Sequence, residues 1–528
     1  MNGNNQYNGI PNAQNNNNVG SVPPVQPINN VQGGAAPIGV AVQPVPQVVP
    51  QQNGPKIIQT DEGNITGQNQ CPKCGSTEIV LNVKTGKLKC EFCRAEFDPK
   101  TVDNMVTDIS KLEGQIYGSG AADIQNNKDD GKLMTLKCSS CGSEVVINTE
   151  ESTQARCHWC RSTLSINQQI PNGAVPDMVL PFRVPKEMAR GRIEQFVGKR
   201  KFFAHPKFKA EFTTNNIMGV YFPYMLVDVN AHSHLVGQGE HLVRRYTVKV
   251  GDSEETRYDA DLYAVERDFD ITIEGLTVES NLDRLNTGAK DKTNNIINSI
   301  MPFDIENCVK YDSNYLKGYT SERRDTNVDN LRVLVSNQSK DIARFAANDS
   351  LKFYDRGVNW QNEQLNIKGQ QWKAAYLPVW LYSYQEVKGN TKLLHYVAVN
   401  ARTQETMGSI PIHMPKLVAV SAIIEFICLL LMIWVDGDYS WLFLFGGPIY
   451  FGIMYSRYRN SGARHKHELE TKRTITNLKS VDNFIKHETG LRNASIKGCN
   501  NTSIIGGKQS IVEQIASANG INNIINKK

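Results

Sequence analysis

The sequence predicts a multidomain fold: a disordered N-terminal leader, two small β zinc ribbons, an α+β region built from a duplicated unit, and a C-terminal transmembrane helical hairpin. Three observations predict this class. Eight of the 11 cysteines form four C-x-x-C pairs, residues 1–55 carry no charged side chain, and two apolar runs lie between residues 417 and 455. A chain of 528 residues is long enough for roughly three or four domains of typical size.

Residues 1–68 form the predicted leader, which is rich in Asn, Gln and Pro. A chain of this composition buries too little apolar surface to offset its ordering entropy, so we expect a flexible tether, although Asn/Gln tracts can also self-associate. The first residues have neither the basic region nor the apolar core of a signal peptide, so we expect a reducing compartment. In such a compartment, paired cysteines indicate metal ligands rather than disulfides.

Two cysteine modules, at 69–97 and 136–166, are predicted to fold as zinc ribbons separated by a linker at 98–135. Both have the spacing C-x2-C-x15-C-x2-C, which is typical of zinc ribbons. A Gly follows the second Cys of the first pair, at Gly75 and Gly142, and permits the positive φ that such turns need. The expected ligands of two structural Zn2+ ions are Cys71, Cys74, Cys90, Cys93, Cys138, Cys141, Cys157 and Cys160.

Four thiolates close a tetrahedral site and leave no position for water or substrate, so we expect structural zinc that supplies folding energy to modules too short to fold alone. Redox C-x-x-C pairs and an iron–sulfur cluster are the alternatives, which the repeated spacing disfavours. The stretch 78–89 indicates two strands around a turn at Thr85-Gly86. His158 lies inside the last C-x-x-C pair and could replace a cysteine ligand, but we expect Cys157 and Cys160 to bind and His158 to point outward. No chemistry is assigned to the isolated Cys308, Cys428 and Cys499.

Residues 176–412 are predicted to form the α+β region. Pro185 marks a helix start ahead of spaced apolar residues up to 200, and a second helix is expected at 289–300. Strands are predicted at the β-rich runs 221–229, 246–250, 269–273, 376–384 and 394–399.

An internal echo in this region predicts the duplicated unit. YFPYML at 221–226 corresponds to YLPVWL at 376–381, and LPF at 180–182 corresponds to MPF at 301–303. The order of the two motifs is the same in both halves, as a repeat requires. Pro inside a strand pattern marks a strand start, an edge or a bulge.

The segment 416–456 is predicted to form a transmembrane helical hairpin. Its first apolar run, 417–435, has the length of a bilayer-spanning helix, whereas the second, 439–455, is shorter and contains Gly446-Gly447-Pro448. Trp and Tyr lie at the ends of both runs, where amphipathic rings prefer the membrane interface. The alternative is a buried helix pair in a soluble core. Glu425, within the first run, is expected to be neutral and hydrogen-bonded to another helix or another copy.

Lys and Arg flank the predicted hairpin, whereas the short loop between its runs carries only Asp as charge. The positive-inside tendency then places both long flanks, including a basic tail at 457–528, on the cytoplasmic side of the cell membrane.

The sequence contains no Walker-type phosphate loop, no G-x-S-x-G elbow and no H-E-x-x-H motif, so no catalytic residue is assigned. His232 and His234 lie two apart on a predicted strand, where we expect an ordinary polar surface rather than a metal site. The net charge of +5 does not by itself indicate a nucleic-acid binder. A basic segment at 183–209, interleaved with Phe202 and Phe203, fits nucleic acid, the anionic cytoplasmic leaflet, or a solvated helix face.

Several short motifs resemble a known family. The cysteine modules, LPF at 180–182, KFFAHP at 201–206, YFP at 221–223 and YLPVW at 376–380 are similar to bacterial membrane proteins with TFIIB-type zinc ribbons. Some members are labelled primosomal replication-restart helicases, but the absent phosphate loop leaves that label unsupported here. The resemblance implies no activity, and the tandem ribbons and the Asn-rich leader depart from simpler members.

These features together predict a non-enzymatic, membrane-anchored zinc-ribbon protein that acts as a cytoplasmic scaffold or adaptor for a protein partner. The alternative is a nucleic-acid-binding protein at the membrane that uses the ribbons or the basic segment 183–209. The sequence assigns no small-molecule site to the α+β region.

Overall fold

The computed structural model describes residues 54–60, 70–76, 78–100, 105–122, 133–137, 144–148, 156–159, 169–170, 176–251, 253–281, 297–322, 324–388, 391–434, 440–459 and 466–491. All of them belong to one compact unit, Val49–Lys528. Most of the predicted leader lies outside these residues, so its disorder stays a prediction.

The described chain is a mixture of strands and helices, as the sequence predicts. The strands are β1 (Lys56–Ile58), β2 (Ile79–Leu81), β3 (Leu88–Cys90), β4 (Glu96–Phe97), β5 (Gly114–Gly118), β6 (Leu133–Lys137), β7 (Glu144–Asn148), β8 (Gln169–Ile170), β9 (Met178–Val179), β10 (Met218–Val250), β11 (Ser253–Glu279), β12 (Val309–Lys310), β13 (Thr320–Glu322), β14 (Val358–Lys388), β15 (Thr391–Asn400), β16 (Thr406–Gly408) and β17 (Lys472–Leu491). The helices are α1 (Lys186–Gly198), α2 (Pro206–Glu211), α3 (Val328–Ala347), α4 (Met414–Trp434), α5 (Gly446–Arg459) and α6 (His467–Glu470).

Four long strands form the centre of the larger sheet in the order β14, β10, β11 and β17, each antiparallel to the next. Residues 219–231 of β10 are all buried, residues 232–239 alternate between buried and partly exposed, and those beyond 242 are largely exposed. Alternation with a period of two indicates a strand with one covered face. The sheet therefore passes from a core covered on both faces to a ribbon that meets solvent.

Helix α3 covers one face of this core. Its buried residues Leu331, Val335 and Ile342 recur at helical spacing and belong to the same hydrophobic cluster as Phe269 and Trp372 of the sheet. The sequence analysis did not single out this helix. Helix α1 falls inside the predicted 185–200, whereas the second expected helix, 289–300, is described only from 297 and ends in a 3-10 turn, Asn298–Ile300.

The two echo motifs pair with each other. In the β10–β14 ladder, residues 221–223 lie opposite residues 376–378, with Phe222 opposite Leu377 at the centre. Each half also lends a short strand to the other, since β9 pairs in parallel with β14 and β13 pairs in parallel with β10. A duplicated unit related by a two-fold axis would produce this arrangement, although the duplication itself stays a prediction.

Pro223 and Pro378 lie inside long strands, at neither a strand start nor a bulge, which leaves the edge among the three expected positions. Pairing with β13 ends two residues before Pro223, and pairing with β11 begins one residue after it. The same offsets hold at Pro378, between β9 and β15. The Pro223 carbonyl accepts from the Ser280 N–H (3.3 Å) and the Pro378 carbonyl from the Ala401 N–H (3.1 Å). Each proline nitrogen, which has no hydrogen to donate, thus faces a gap between two neighbouring strands.

Two segments that we expected to lack strands contain them. Residues 114–118 of the predicted linker form β5, which pairs in parallel with β1 and β14 and buries Ile116 and Tyr117. The glycines of this segment suggested flexibility, but Gly118 is needed because a Cβ there would collide with the Asp177 carboxylate. The predicted basic tail contributes β17, which pairs with β11. The strands of the second cysteine module also join this sheet, because β7 pairs with β13.

The two predicted apolar runs form helices that pack against each other. Among the described residues, one helix is long and apolar enough to cross a membrane, over Met414–Ile433 of α4. The second run is divided between a 3-10 segment, Ser440–Phe445, and α5. Most side chains of α4 face away from the protein core, including Ile423, Phe426 and Ile433.

The start of α4 and the end of α5 meet at one place on the α/β core. The His413 N–H donates to the Phe203 carbonyl (2.8 Å) just before α4 begins. At the end of α5, the Tyr458 hydroxyl accepts from the Phe203 N–H (3.1 Å), and the Tyr458 carbonyl accepts from the Ile410 N–H (3.4 Å). Leu417 and Tyr458 are both buried there. The chain therefore leaves the core and returns to it at the same point.

Glu425 links α4 to α5 by a hydrogen bond, which agrees with the expected contact to another helix. Its carboxylate accepts from the Gly447 N–H (2.7 Å) in the first turn of α5, where backbone donors are otherwise unpaired. Gly447 also allows close approach, because a Cβ at this position would lie 2.6 Å from the Ser421 carbonyl oxygen.

A buried ion pair fixes β10 against the turn that precedes β14. Glu240 and Arg356 have side chains that are 3% and 5% exposed, with 2.6 Å between Oε1 and Nε. The Arg356 guanidinium also lies over the Tyr258 ring, 3.6 Å from its centre.

We expect the substitution Glu240→Ala to destabilise the protein by about 3–5 kcal/mol, because it leaves the Arg356 charge buried without its carboxylate. Asp349→Ala is the matched control, since the Asp349–Lys352 pair is exposed (92% and 81%) and its loss should cost less than about 1 kcal/mol. Thermal unfolding of the purified chain measures both. Equal shifts of the unfolding midpoint would contradict the assigned role of the buried pair.

Candidate metal centre

The first cysteine quartet is built on the small sheet of β2, β3 and β4. β2 and β3 pair around a turn in which the Gly86 N–H donates to the Asn82 carbonyl (2.8 Å), so the predicted two strands and turn are confirmed. This pairing puts Ile79 opposite Cys90 and so brings the second C-x-x-C pair beside the first.

In the first quartet, each C-x-x-C pair is followed by a residue in the left-handed conformation. Gly75 has φ of 75°, as predicted, and its N–H donates to the Cys71 carbonyl (2.8 Å). Arg94 occupies the corresponding place after Cys93 with φ of 58°. A non-glycine residue adopts this conformation at a cost in conformational free energy, so contacts with the surrounding structure have to stabilise the turn at Arg94.

The four sulfurs of this quartet converge. The Sγ atoms of Cys71, Cys74, Cys90 and Cys93 all lie within 4.8 Å of one another. The Cys71–Cys93 and Cys74–Cys90 sulfur separations are both 3.6 Å. A tetrahedral zinc ion with bonds of about 2.3 Å requires sulfurs about 3.8 Å apart. The four thiols therefore lie close enough to bind one metal ion between them.

The electrostatics of the quartet favour a bound cation. Hydrogen bonding to Cys90, chiefly from the backbone N–H of Cys93, lowers the pKa of the Cys90 thiol to about 6 although burial opposes the shift. The pKa of Cys74 is instead raised to about 12: the Ser76 N–H lowers it, but burial and the neighbouring thiols outweigh that effect. Four thiolates at this spacing repel one another, and a divalent cation removes the repulsion.

One side of the quartet is part of the main core. Cys71 and Cys90 are buried in the hydrophobic cluster that also contains Ile79, Tyr315 and Leu316. Cys74, in contrast, is exposed. Cys93 is partly buried and packs against the same cluster, so the quartet is docked on the α/β core through three of its four cysteines.

The second quartet lies mostly outside the described residues. Cys138, Cys141 and Cys160 lie outside the described residues, so their role as ligands stays a prediction. Cys157 is described and is fully buried, in a cluster with Val145 and Trp159.

The expectation that His158 points outward is wrong. His158 is 1% exposed, and its Nε2 lies 3.1 Å from Oε1 of Glu322 in β13. The Trp159 indole N–H donates to the same carboxylate oxygen, and the Ser383 hydroxyl donates to the His158 carbonyl (2.7 Å). Sequence spacing could not reveal this, because Glu322 lies 164 residues away in the chain.

His232 and His234 face the same side of β10, as their spacing predicts. His232 lies between Asp268 (3.1 Å from Nε2) and Asp270 (3.0 Å from Nδ1), and His234 lies 3.4 Å from Asp268. Lys368 also contacts Asp270 (2.6 Å), and its N–H donation is the largest cause that lowers the pKa of that carboxyl. The two histidines thus belong to a partly exposed polar network with carboxylates of β11, which agrees with the expected polar surface.

Among the residues that the structure describes, neither Cys308 nor Cys428 belongs to the cysteine cluster. Burial raises the pKa of the Cys308 thiol to about 12, which disfavours the thiolate that a metal would need. Cys428 lies on α4 where a Cβ at Gly446 would collide with its sulfur. Cys499 lies outside the described residues.

No family model matches the chain, and no curated protein or solved structure matches it either.

We expect Cys90→Ser to lower the metal content of the purified chain by one ion, because one of four closely spaced ligands is lost. Cys308→Ser is the matched control and should leave the content unchanged. Elemental analysis of the full chain after gel filtration measures both. An unchanged metal content in Cys90→Ser would contradict the assignment of the first quartet as a metal site.

Chelation should loosen the first module while the central sheet stays folded. Amides of 78–97 are expected to lose protection from hydrogen exchange after metal removal, because the module has little core of its own. Amides of 219–231, buried in the central sheet, should keep theirs. Equal loss in both regions, or in neither, would show that the metal does not stabilise this module locally.

Proposed function

We propose that this chain is a non-enzymatic, membrane-anchored zinc-ribbon protein that serves as a cytoplasmic scaffold or adaptor for protein partners. The observation that carries the proposal is the meeting of both ends of the α4–α5 pair at Phe203 on the α/β core. A hairpin that leaves and re-enters one folded body must keep that body on one side of the membrane.

The lengths of the two apolar segments support a hairpin. The 21 residues of α4 extend about 31 Å at 1.5 Å per residue. The six residues of the 3-10 segment and the 14 of α5 together extend about 33 Å. Both lengths match a hydrocarbon core of about 30 Å. The exposed apolar side chains of α4 also fit lipid better than water.

The charges support the orientation. Lys416 lies in the first turn of α4, and Arg457 and Arg459 end α5, so the basic residues lie at the end where the hairpin joins the core. The positive-inside tendency assigns this end, and with it the α/β core, to the cytoplasm.

Zinc is the metal that we propose for the first quartet, and a second zinc ion is proposed for the second quartet. Four sulfur ligands at tetrahedral spacing favour zinc, and they leave no open position for a substrate. Zinc would thus supply stability rather than chemistry. The resemblance to bacterial membrane proteins with TFIIB-type ribbons agrees with this function but adds no activity to it.

The edge strand β17 is the feature that favours a protein partner. Among the described strands it pairs with β11 alone, so its other edge presents backbone donors and acceptors along a strand of 20 residues. Leu478, Val481 and Phe484 are exposed on it at 43–57%. An extended segment of a partner could add to this edge by strand pairing.

The topology is tested by protease treatment of sealed vesicles carrying the full chain. We expect the segments on both sides of the hairpin, 176–412 and 466–491, to be cleaved or protected together with a cytoplasmic marker. The chain should also resist extraction by alkaline carbonate. Cleavage of the two segments from opposite sides, or release by carbonate, would refute the hairpin anchor.

Gly447→Leu should open the helix pair and weaken membrane retention, because a side chain here meets the Ser421 carbonyl and the Glu425 side chain. Gly452→Leu is the matched control in the same helix, since a Cβ there meets nothing within 4 Å. The fraction of each variant in the carbonate-resistant membrane pellet is the measurement. The contact is unimportant for anchoring if both variants remain in the pellet to the same extent.

A further inference from the structure

We propose that the basic residues around the base of the helix pair bind the headgroups of anionic phospholipids, with the Phe202 ring in the interfacial layer of the same bilayer. We call this set the basic collar: Lys199, Arg200, Lys201, Lys416, Arg457 and Arg459. The proposal rests on the membrane anchor proposed above, and it names the lipid chemistry that the anchor prefers.

The fold brings the collar together from three separate parts of the chain. The Arg200 Nε donates to the Arg457 carbonyl (3.5 Å), which ties the end of α1 to the end of α5. The Lys416 Nζ donates to the Phe202 carbonyl (3.0 Å), which ties the start of α4 to the same loop. The collar therefore surrounds the point where the hairpin joins the core, at the depth where headgroups would lie.

The collar is a concentration of positive charge without acidic partners. Among the residues that the structure describes, no carboxylate forms an ion pair with any of its six members, whereas Arg190 of the preceding helix pairs with Glu194. Burial lowers the pKa of the Arg200 guanidinium to about 10, and the positive charge of the nearby Arg457 contributes to the shift. Like charges held together in this way are stabilised by an anion from outside the chain.

Phe202 supplies the apolar part of the surface. Its side chain is 58% exposed, while the neighbouring Phe203 is buried against Tyr458. The Lys416 ammonium lies 3.7 Å from the centre of the Phe202 ring. An exposed aromatic ring beside lysines is the composition that favours the boundary between headgroups and acyl chains.

Phospholipid phosphate is favoured over nucleic acid because of this position. A duplex would have to approach the collar at the base of an apolar helix pair, whereas a bilayer around that pair brings its phosphates there without further cost.

The test uses the full chain, purified in neutral detergent and titrated with fluorescent phosphatidylglycerol or with phosphatidylcholine of the same acyl chains. We expect about a tenfold preference for phosphatidylglycerol at low salt, falling as salt is added. The double substitution Lys201→Gln/Lys416→Gln should remove most of this preference. Lys249→Gln/Lys352→Gln makes the same charge change on β10 and after α3, and it should retain the preference. Unchanged metal content shows that each variant is folded.

Three results would overturn the proposal. The first is that the unsubstituted chain shows no preference for phosphatidylglycerol, and the second is that both double variants lose the preference equally. The third is that a short oligonucleotide displaces the labelled lipid, binds more tightly than it, and requires Lys201 and Lys416 for binding. Carbonate extraction of the same proteins separates this failure from that of the anchor. A chain that stays in the membrane but shows no lipid preference refutes the collar alone, whereas an extracted chain refutes the anchor.

Discussion

The buried ladder between β10 and β14 is the constraint on which the rest of the structure depends. Residues 219–231 are covered on both faces, so each neighbouring element is positioned against this pair of strands. One edge receives β13 and β11, and the other receives β9, β5 and β15. The backbone N–H and C=O groups of these residues have no access to water. A different strand pairing would leave some of them without hydrogen-bond partners, at a cost in folding free energy.

Much of the local structure could be predicted from the sequence, because local patterns determine it. The spacing of Cys71 to Cys93 and the turn at Gly86 predicted the β2–β3 hairpin, and the apolar run 417–435 predicted α4. The strand β17 was not predicted because its interspersed Lys, Asp and His suggest a solvated tail. Its partner β11 also lies about 200 residues earlier in the chain. The burial of His158 was not predicted for the same reason, because it depends on contacts with the distant residues Glu322 and Ser383.

The first cysteine quartet and the α4–α5 helix pair share one hydrophobic cluster. Cys71 and Cys90 belong to it at one end, and Leu417 and Tyr458 belong to it at the other. Side chains in a close-packed interior transmit displacement to their neighbours. A displacement of the quartet is therefore expected to shift the side chains at the base of the helix pair, and a displacement of the helix pair is expected to shift the cysteines.

The two prolines in the middle of the sheet have a consequence for misfolding. A β-hairpin can slide along its neighbour in steps of two residues without moving its apolar face to the other side. Sliding of β11 or β15 towards the core would place a donor-less nitrogen, at Pro223 or Pro378, opposite a carbonyl that then has no partner. Each proline thus opposes a register shift of the neighbouring strand. Because the two prolines face opposite edges of the β10–β14 ladder, the registers of β11 and β15 are both fixed close to the centre of the sheet.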